Sequence, residues 1–171
     1  MNKNQSVKFQ IVHEDALPGD YGSWEDACPY VHLADPTYCL GHMIDAHEIV
    51  ITESSIKVVL DYPLTRPFLF ELHEVDYRSA RPTWMPESYA GFTRSQLAKA
   101  ISCTYQLVYN EEDRTSTELA QQLRGRYLNT SRGVTDGTYK IWGHELHDLD
   151  LIEVWRPLSS GTGYWFLEVD S

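Results

Sequence analysis

Positive charge is scarce in this sequence: 14 Lys and Arg residues stand against 25 Asp and Glu residues, and the formal net charge is −11. A field of this sign repels nucleic-acid phosphates and anionic membrane surfaces, so neither is expected as a partner. It attracts basic proteins and also favours solubility, which by itself would explain the charge. The charge balance therefore favours a basic protein partner over a nucleic acid or a membrane.

Long apolar segments and cysteines are also few. No segment approaches the ~20 consecutive apolar residues of a membrane-spanning helix, and residues 1–9 lack the apolar core of a signal peptide. The three cysteines, Cys28, Cys39 and Cys103, are an odd number in a chain without a secretion signal. This favours reduced thiols over a disulfide framework. We therefore expect a cytoplasmic protein.

Complete motifs of common enzyme classes are absent too. The sequence has no glycine-rich phosphate loop, no Gly-x-Ser-x-Gly elbow and no Cys-x-x-Cys pair. Aromatic residues, by contrast, are abundant, with five Trp, eleven Tyr and five Phe in 171 residues, of which 42% are hydrophobic. This suits one packed core and one domain of about 100–200 residues. Residues 1–171 are predicted to form a single domain.

Residues Glu48–Val75 carry the clearest strand pattern. β-Branched runs at Ile49–Thr52 and Ile56–Leu60 predict an antiparallel hairpin. The alternating pattern of Phe68–Val75 adds a third strand, which completes a meander. Two further strand-like runs near the C-terminus predict a closing hairpin: Leu149–Trp155 and Tyr164–Val169.

The strongest helix signal begins at Thr93, which has capping-box spacing with Gln96. Apolar residues then follow a 3.6-residue period through about Tyr109. A second capping box predicts a shorter helix from Thr115 to Arg124. Because strand and helix runs are segregated along the chain, we predict an α+β fold. Its antiparallel sheet combines the meander and the C-terminal hairpin, with both helices packed on one face.

Three stretches of the C-terminal half resemble a pattern in a family of small uncharacterised proteins. They are the helix start Gly91–Arg94 (Gly-Phe-Thr-Arg), the helix end Tyr109–Glu112 (Tyr-Asn-Glu-Glu), and Thr135–His144, which reads Thr-Asp-Gly-Thr-Tyr-Lys-Ile-Trp-Gly-His. We call the last of these the Trp-Gly-His stretch. The resemblance brings no substrate or cofactor. It implies that the helix, its acidic end and the Trp-Gly-His stretch belong to one structural unit.

His144, His147 and Asp148 form the densest set of side chains with potential chemistry. Two histidines three residues apart on a helix would share one face. Together with a carboxylate they could bind a divalent metal that activates water. The alternative function for the protein is therefore a metal-dependent hydrolase.

A structural interpretation of the same region competes with the hydrolase. The polar side chains would face solvent, while apolar residues fasten the helix layer to the terminal hairpin: Tyr139, Ile141, Trp142, Leu146, Leu149 and Leu151. Trp142→Ala would then lower the free energy of unfolding by roughly 3–5 kcal/mol, as other large-to-small core substitutions do.

A second candidate metal site lies in the irregular region before residue 48. Cys28, His32, Cys39 and His42 supply the ligand types of a structural zinc site, with His47 as a substitute. The spacer of six residues between His32 and Cys39 is short beside the ~12 of common zinc fingers. The competing interpretation makes the two cysteines small buried residues and the histidines ordinary polar groups. Zinc is the one cofactor that the sequence suggests.

The acidic triplet Glu111, Glu112 and Asp113 falls at the end of the long helix, where the macrodipole disfavours negative charge. Such a conflict can mark a functional position. Three arginines later in the chain could neutralise the triplet: Arg124, Arg126 and Arg132.

The leading functional hypothesis is a non-catalytic module that recognises a basic protein. It could be an immunity or inhibitor protein, or an accessory component of a larger assembly. Acidic residues would select the partner and exposed aromatic residues would anchor it. The predicted binding residues are Trp142, His144, Glu111, Glu112 and Asp113.

Overall fold

The computed structural model describes residues 4–12, 27–80, 90–117, 133–158, 161 and 163–171, and confirms the α+β class. Its strands are β1 Asn4–Lys8, β2 Ile11–Val12, β3 Ala27–Cys28, β4 Val31–His32, β5 Ile49–Ile51, β6 Ser55–Leu60, β7 Phe68–His73, β8 Phe92–Thr93, β9 Asp150–Pro157 and β10 Tyr164–Asp170. Its helices are α1 Thr37–Gly41 and α2 Arg94–Thr115, with 3₁₀ segments at Glu74–Ala80 and Leu146–Asp148. None of the helices in these ranges is long and apolar enough to cross a membrane.

Among the described residues the main sheet contains six strands in the order β1-β9-β10-β6-β7, with β4 also paired to β9. The predicted C-terminal hairpin is confirmed, because β9 and β10 pair antiparallel. β6 and β7 form a second antiparallel pair, from Ser55 opposite His73 to Leu60 opposite Phe68. The two pairs meet along β10 and β6, which run parallel. The sheet is therefore mixed, since the long connection that contains α2 allows the chain to return in the same direction.

The first strand of the predicted meander does not join the main sheet. β5 pairs antiparallel with β8, with Ile49 opposite Thr93. The predicted hairpin between Ile49–Thr52 and Ile56–Leu60 is therefore wrong. The second half of the meander is confirmed, because β6 and β7 pair as expected.

Hydrogen bonds at the start of α2 explain why β5 pairs with β8 and not with β6. The amides of Arg94 and Ser95 donate to the carbonyls of Glu48 and Ala46, each at 2.9 Å. The first amides of a helix have no acceptor within the helix itself. The segment before β5 supplies these acceptors, and this attachment draws β5 toward the helix.

Helix α2 begins as the sequence predicts and ends later. The capping box is present, since the amide of Gln96 donates to the Thr93 hydroxyl and the amide of Thr93 donates to the Gln96 side chain. The buried face of the helix shares one apolar core with the sheet. The helix continues past Tyr109 to Thr115, so the acidic triplet lies within its last two turns. The predicted shorter helix falls almost wholly outside the described residues, apart from its first few residues.

Candidate functional site

Two loops meet beside the end of the sheet and carry a group of aromatic rings. The first loop follows β6 and contains Tyr62 and Pro63, and the second is the Trp-Gly-His stretch. The amide of Trp142 donates to the carbonyl of Pro63 at 3.0 Å. Leu64 and Ile141 form an antiparallel bridge next to this bond. These backbone contacts fix the two loops against each other.

Tyr62, Trp142 and His144 form what we call the aromatic cluster. The rings of Tyr62 and Trp142 meet edge to face, with centroids 5.8 Å apart and an interplanar angle of 81°. The His144 ring lies 5.6 Å from Tyr62 and 6.1 Å from Trp142. Edge-to-face and offset contacts at about 4.5–7 Å are favourable for aromatic rings. Each ring therefore helps to fix the orientation of the other two.

Trp142 lies at the surface, with a relative exposure of 37%. Its predicted place among the buried fastening residues is therefore wrong, although Ile141, Leu149 and Leu151 are fully buried as expected. Neighbouring residues of an extended segment point to opposite sides, so the burial of Ile141 turns Trp142 outward. The indole is held by its neighbours and remains accessible to another molecule.

A line of polar atoms runs along one edge of the aromatic cluster. The hydroxyl of Tyr62 lies 2.8 Å from the hydroxyl of Ser171. The same Ser171 oxygen lies 3.4 Å from Nε2 of His144, which is a weak contact by distance. The cluster therefore offers both an apolar surface and hydrogen-bonding groups.

Two tyrosines of α2 donate hydrogen bonds to the backbone of the aromatic cluster. The hydroxyl of Tyr105 donates to the carbonyl of Tyr62 at 2.8 Å, and the hydroxyl of Tyr109 donates to the carbonyl of His144 at 2.9 Å. Burial raises the pKa of the Tyr105 phenol far above its ordinary value, so this group stays a donor. The helix thus contacts both loops of the cluster.

Glu112, one helical turn after Tyr109, is completely buried at 0% exposure. Its carboxylate accepts hydrogen bonds from the amides of three residues of the Trp-Gly-His stretch and from the hydroxyl of a fourth. The donors are Gly137 at 2.9 Å, Tyr139 at 2.6 Å, Lys140 at 3.2 Å and the Thr135 hydroxyl. We call Glu112 and these donors the carboxylate clamp. Glu112 therefore lies inside the protein, not at the surface that its predicted binding role requires.

Further hydrogen bonds join the end of α2 to the same stretch. The carboxylate of Asp136 accepts from the Ser116 hydroxyl at 2.7 Å and from the Thr117 amide at 2.9 Å. The amide of Thr138 donates to the Thr115 hydroxyl at 3.0 Å. The helix end and the Trp-Gly-His stretch therefore form one structural unit.

The other two members of the acidic triplet are accessible. Glu111 is partly exposed and pairs with the exposed Arg114 at 2.5 Å, and Asp113 is exposed. These two residues remain candidates for contact with a partner. The three arginines predicted to face the triplet lie outside the described residues: Arg124, Arg126 and Arg132.

The structure brings together only two of the three residues of the predicted hydrolase site, since Nε2 of His147 lies 3.3 Å from the Asp148 carboxylate. His147 and Asp148 lie in a short 3₁₀ segment, not on an α-helix, so the predicted common face for the two histidines is missing. The Asp148 carboxylate accepts from the Glu145 amide at 2.9 Å, while His144 faces the aromatic cluster. In the ranges that the structure describes, no group of three or more His, Cys, Asp or Glu side chains is placed to hold a metal ion.

The candidate zinc ligands Cys28, His32, Cys39 and His42 are engaged separately. Nδ1 of His32 lies 2.6 Å from the Asp150 carboxylate. His42 stacks on Tyr38, with centroids 4.2 Å apart, and its Nδ1 contacts the Tyr38 carbonyl at 2.9 Å. The Cys28 thiol lies 4.0 Å from the Tyr30 carbonyl, and Cys39 is buried, which raises the pKa of its thiol. Within the described part of the chain these residues form no zinc site.

Sequence reasoning missed Tyr62 and the supporting roles of Tyr105 and Tyr109. A signal for the support exists, since Tyr105, Tyr109 and Glu112 follow an i, i+4, i+7 spacing that places them on one face of α2. Tyr62 has no comparable signal, because it meets Trp142 only through the fold.

Comparisons with protein-family models, curated proteins and solved structures find no match. The family suggested by the three sequence stretches therefore stays a prediction.

Proposed function

We propose that this protein is a non-catalytic module that binds a basic protein through the aromatic cluster. The observation that carries the proposal is the exposed Trp142, which backbone bonds and ring contacts hold at the surface. An immunity or inhibitor protein against a basic toxin or nuclease is one form of this function. An accessory component of a larger assembly is another.

Trp142 has the properties of an interface anchor. Tryptophan and tyrosine are enriched among the residues that contribute most to protein–protein binding. The edge contact with Tyr62 and the hydrogen bond to Pro63 order the loop before any partner arrives. Less conformational entropy is then lost on association, which favours affinity.

Negative charge adjoins the aromatic cluster along the chain. Three carboxylate residues are sequence neighbours of the cluster or of Ser171: Asp61, Glu145 and Asp170. They stand against the single lysine of the Trp-Gly-His stretch, Lys140. Complementary charge speeds encounter with a basic partner and suppresses acidic ones. A lysine or arginine placed over the indole would add a cation–π contact of about 0.5–2 kcal/mol.

An NMR titration tests the proposal. The ¹⁵N-labelled protein is mixed with a peptide rich in Lys and Arg that also contains leucine, and separately with the matching Glu-substituted peptide. We expect the indole Nε1–H of Trp142 and the amides of Tyr62 and His144 to shift most, with the basic peptide only. Shifts spread evenly over the acidic surface would show general ionic attraction and contradict the proposal.

A pair of variants tests whether Trp142, and not any exposed apolar residue, anchors the peptide. Leu107 is the matched control, because it is an apolar residue of α2 with 67% exposure. Trp142→Ala should weaken peptide binding about tenfold or more, equivalent to about 1.4 kcal/mol. Leu107→Ala should leave the affinity unchanged. Equal effects of the two substitutions would remove the cluster from the proposed interface.

A further inference from the structure

We infer that Glu112 sets the conformation in which the aromatic cluster is presented, as a positioning residue that acts from inside the protein. The inference rests on the proposed function, because presentation matters only if the cluster binds a partner. It adds that binding depends on a carboxylate that belongs to a different element and is shielded from the partner.

The two carboxylate oxygens of Glu112 hold different parts of the loop. Oε1 accepts from the hydroxyl of Thr135 and the amide of Gly137. Oε2 accepts from the amides of Tyr139 and Lys140. A glutamine amide would replace one oxygen with an N–H donor that faces other donors. The clamp is therefore specific for a carboxylate, and the nearly isosteric Gln would lose the two hydrogen bonds made by that oxygen.

A short path of backbone bonds connects the carboxylate clamp to the indole. The amide of Thr135 donates to the carbonyl of Ile141 at 3.0 Å, which closes the clamped loop immediately before Trp142. The amide of Trp142 then donates to Pro63 at 3.0 Å. A change in the loop at Glu112 is therefore transmitted to the residue that carries the indole.

The clamped loop has a shape that fits the carboxylate and that its own residues do not favour. Lys140 has a φ of 54°, in the left-handed region that non-glycine residues rarely adopt. At Gly137 an added Cβ would lie 2.7 Å from the carboxylate carbon of Glu112. Glycine therefore lets the loop close over the oxygens, and the accepted amide bonds hold Lys140 in place.

A second attachment lies on the other side of Trp142. The hydroxyl of Tyr109, on the same helix as Glu112, donates to the carbonyl of His144 at 2.9 Å. Trp142 thus lies between two points at which α2 holds the stretch. Thr115 and Ser116 also contact the preceding loop, at Thr138 and Asp136. Glu112 is fully buried and accepts four hydrogen bonds from this loop, so we assign the shape of the loop to Glu112.

Glu112→Gln and Glu111→Gln provide a matched test, because each removes one negative charge from neighbouring positions of α2. Glu111 pairs with Arg114 at the surface and takes no part in the carboxylate clamp. The first measurement is the NMR position of the Trp142 indole and of the Tyr139 and Lys140 amides. The second is the affinity for the basic peptide described above.

We expect Glu112→Gln to shift or broaden these resonances and to weaken peptide binding about tenfold beyond Glu111→Gln, a difference of about 1.4 kcal/mol. Glu111→Gln should leave the Trp142 indole where it is. Equal losses of affinity in the two variants, with an unchanged indole, would show that only charge matters. That result overturns the inference.

Thr135→Val covers the case in which Glu112→Gln does not fold. It keeps the β-branched shape and the carboxylate and removes the hydroxyl that contacts Glu112 and, at 3.2 Å, the Ile141 carbonyl. A displacement of the Trp142 indole together with the Tyr139 and Lys140 amides, relative to the unmodified protein, supports the inference. Unmoved resonances overturn it. If the unmodified protein binds no basic peptide, the proposed function fails on its own, while the indole resonance still decides whether Glu112 positions Trp142.

Discussion

The carboxylate clamp and the aromatic cluster both include residues of the Trp-Gly-His stretch, yet they reverse the usual distribution of polarity. Glu112 is fully buried, whereas Trp142 is exposed. Acidic residues are almost never fully buried unless they are paired, and large aromatic residues are mostly covered. Each exception is stabilised locally, by four donors around the carboxylate and by ring and backbone contacts around the indole.

Comparing the two regions shows which residue stabilises the loop and which residue offers surface to another molecule. A buried carboxylate stabilises a fold only if its hydrogen bonds offset the loss of water, and it then specifies one loop conformation. A tryptophan that keeps 37% of its surface in water contributes less to stability than a buried one and offers area for binding. Polarity alone would have assigned the two residues to the opposite places. Their accessibility instead gives Glu112 a structural task and leaves Trp142 available for the binding that we propose.

Glu112→Ala removes the carboxylate of the clamp and should have the largest effect on stability among the substitutions of the two regions. It leaves three loop amides and a hydroxyl without their acceptor, so we expect the free energy of unfolding to fall by about 3–5 kcal/mol. Urea denaturation followed by circular dichroism measures this loss. Glu111→Ala is the control and should stay within about 0.5 kcal/mol, as exposed substitutions do. Similar losses for the two variants would contradict the structural task of Glu112.

Gly137→Ala should weaken the clamp without touching the carboxylate itself. The new Cβ would lie 2.7 Å from the Glu112 carboxylate carbon, and the four hydrogen bonds leave that group little freedom to move. We expect a loss of about 1–3 kcal/mol, as for overpacked interiors. Gly41→Ala in α1 is the control, because no atom lies within 4 Å of its added Cβ. A Gly137→Ala variant as stable as the Gly41→Ala variant would show that the loop closes loosely.

Local signals predicted the parts of the fold that are themselves local. The capping box at Thr93 correctly placed the start of α2, because the cap uses residues three apart. The C-terminal hairpin was predicted for a similar reason, since β9 and β10 pair with their neighbour in the chain. The pairing of β5 with β8 and the parallel contact of β6 with β10 join distant segments. Strand patterns do not encode such partners, so these contacts were missed.

The candidate site was predicted in part, for a related reason. Trp142 and His144 were selected from their density in the sequence, but their burial and partners depend on Tyr62, which is far away along the chain. The position of Glu112 could have been predicted. It follows Tyr105 and Val108 at the spacing of one buried helix face. The apolar period predicts a helix that ends at Tyr109, whereas α2 continues to Thr115.

Tyr105→Phe would test the support that α2 gives to the aromatic cluster. The substitution leaves the ring and removes the hydroxyl that donates to the Tyr62 carbonyl at 2.8 Å. We expect a loss of about 1–2 kcal/mol near pH 7, because the carbonyl loses its donor. Urea denaturation measures the loss, and NMR should show the Tyr62 and Trp142 resonances displaced. Unchanged resonances would show that the Tyr105 hydroxyl does not hold the aromatic cluster in position.

The buried phenol of Tyr105 also predicts that the free energy of unfolding depends on pH in the alkaline range. Burial raises the pKa of Tyr105 in the folded protein above the value of 10.0 of an exposed phenol. Above that value the unfolded chain binds fewer protons than the folded one, so the free energy of unfolding falls as pH rises. The contribution is fully present below about pH 10. In Tyr105→Phe the decline between pH 9 and 11 should be shallower; an identical slope would contradict this.

Trp142→Ala should cost much less stability than the loss of a fully buried tryptophan, and its comparison with Trp165→Ala tests the difference between the exposed and the buried indole most directly. Trp165 is fully buried in the core, so its loss should cost about 3–5 kcal/mol. Trp142 keeps 37% of its surface in water and leaves no closed cavity when it is removed, so we expect a smaller cost of about 1–2 kcal/mol. Thermal and urea unfolding of both variants measure the difference. A loss at Trp142 as large as that at Trp165 would make the indole a core residue, and the aromatic cluster would then have no anchor to offer a partner.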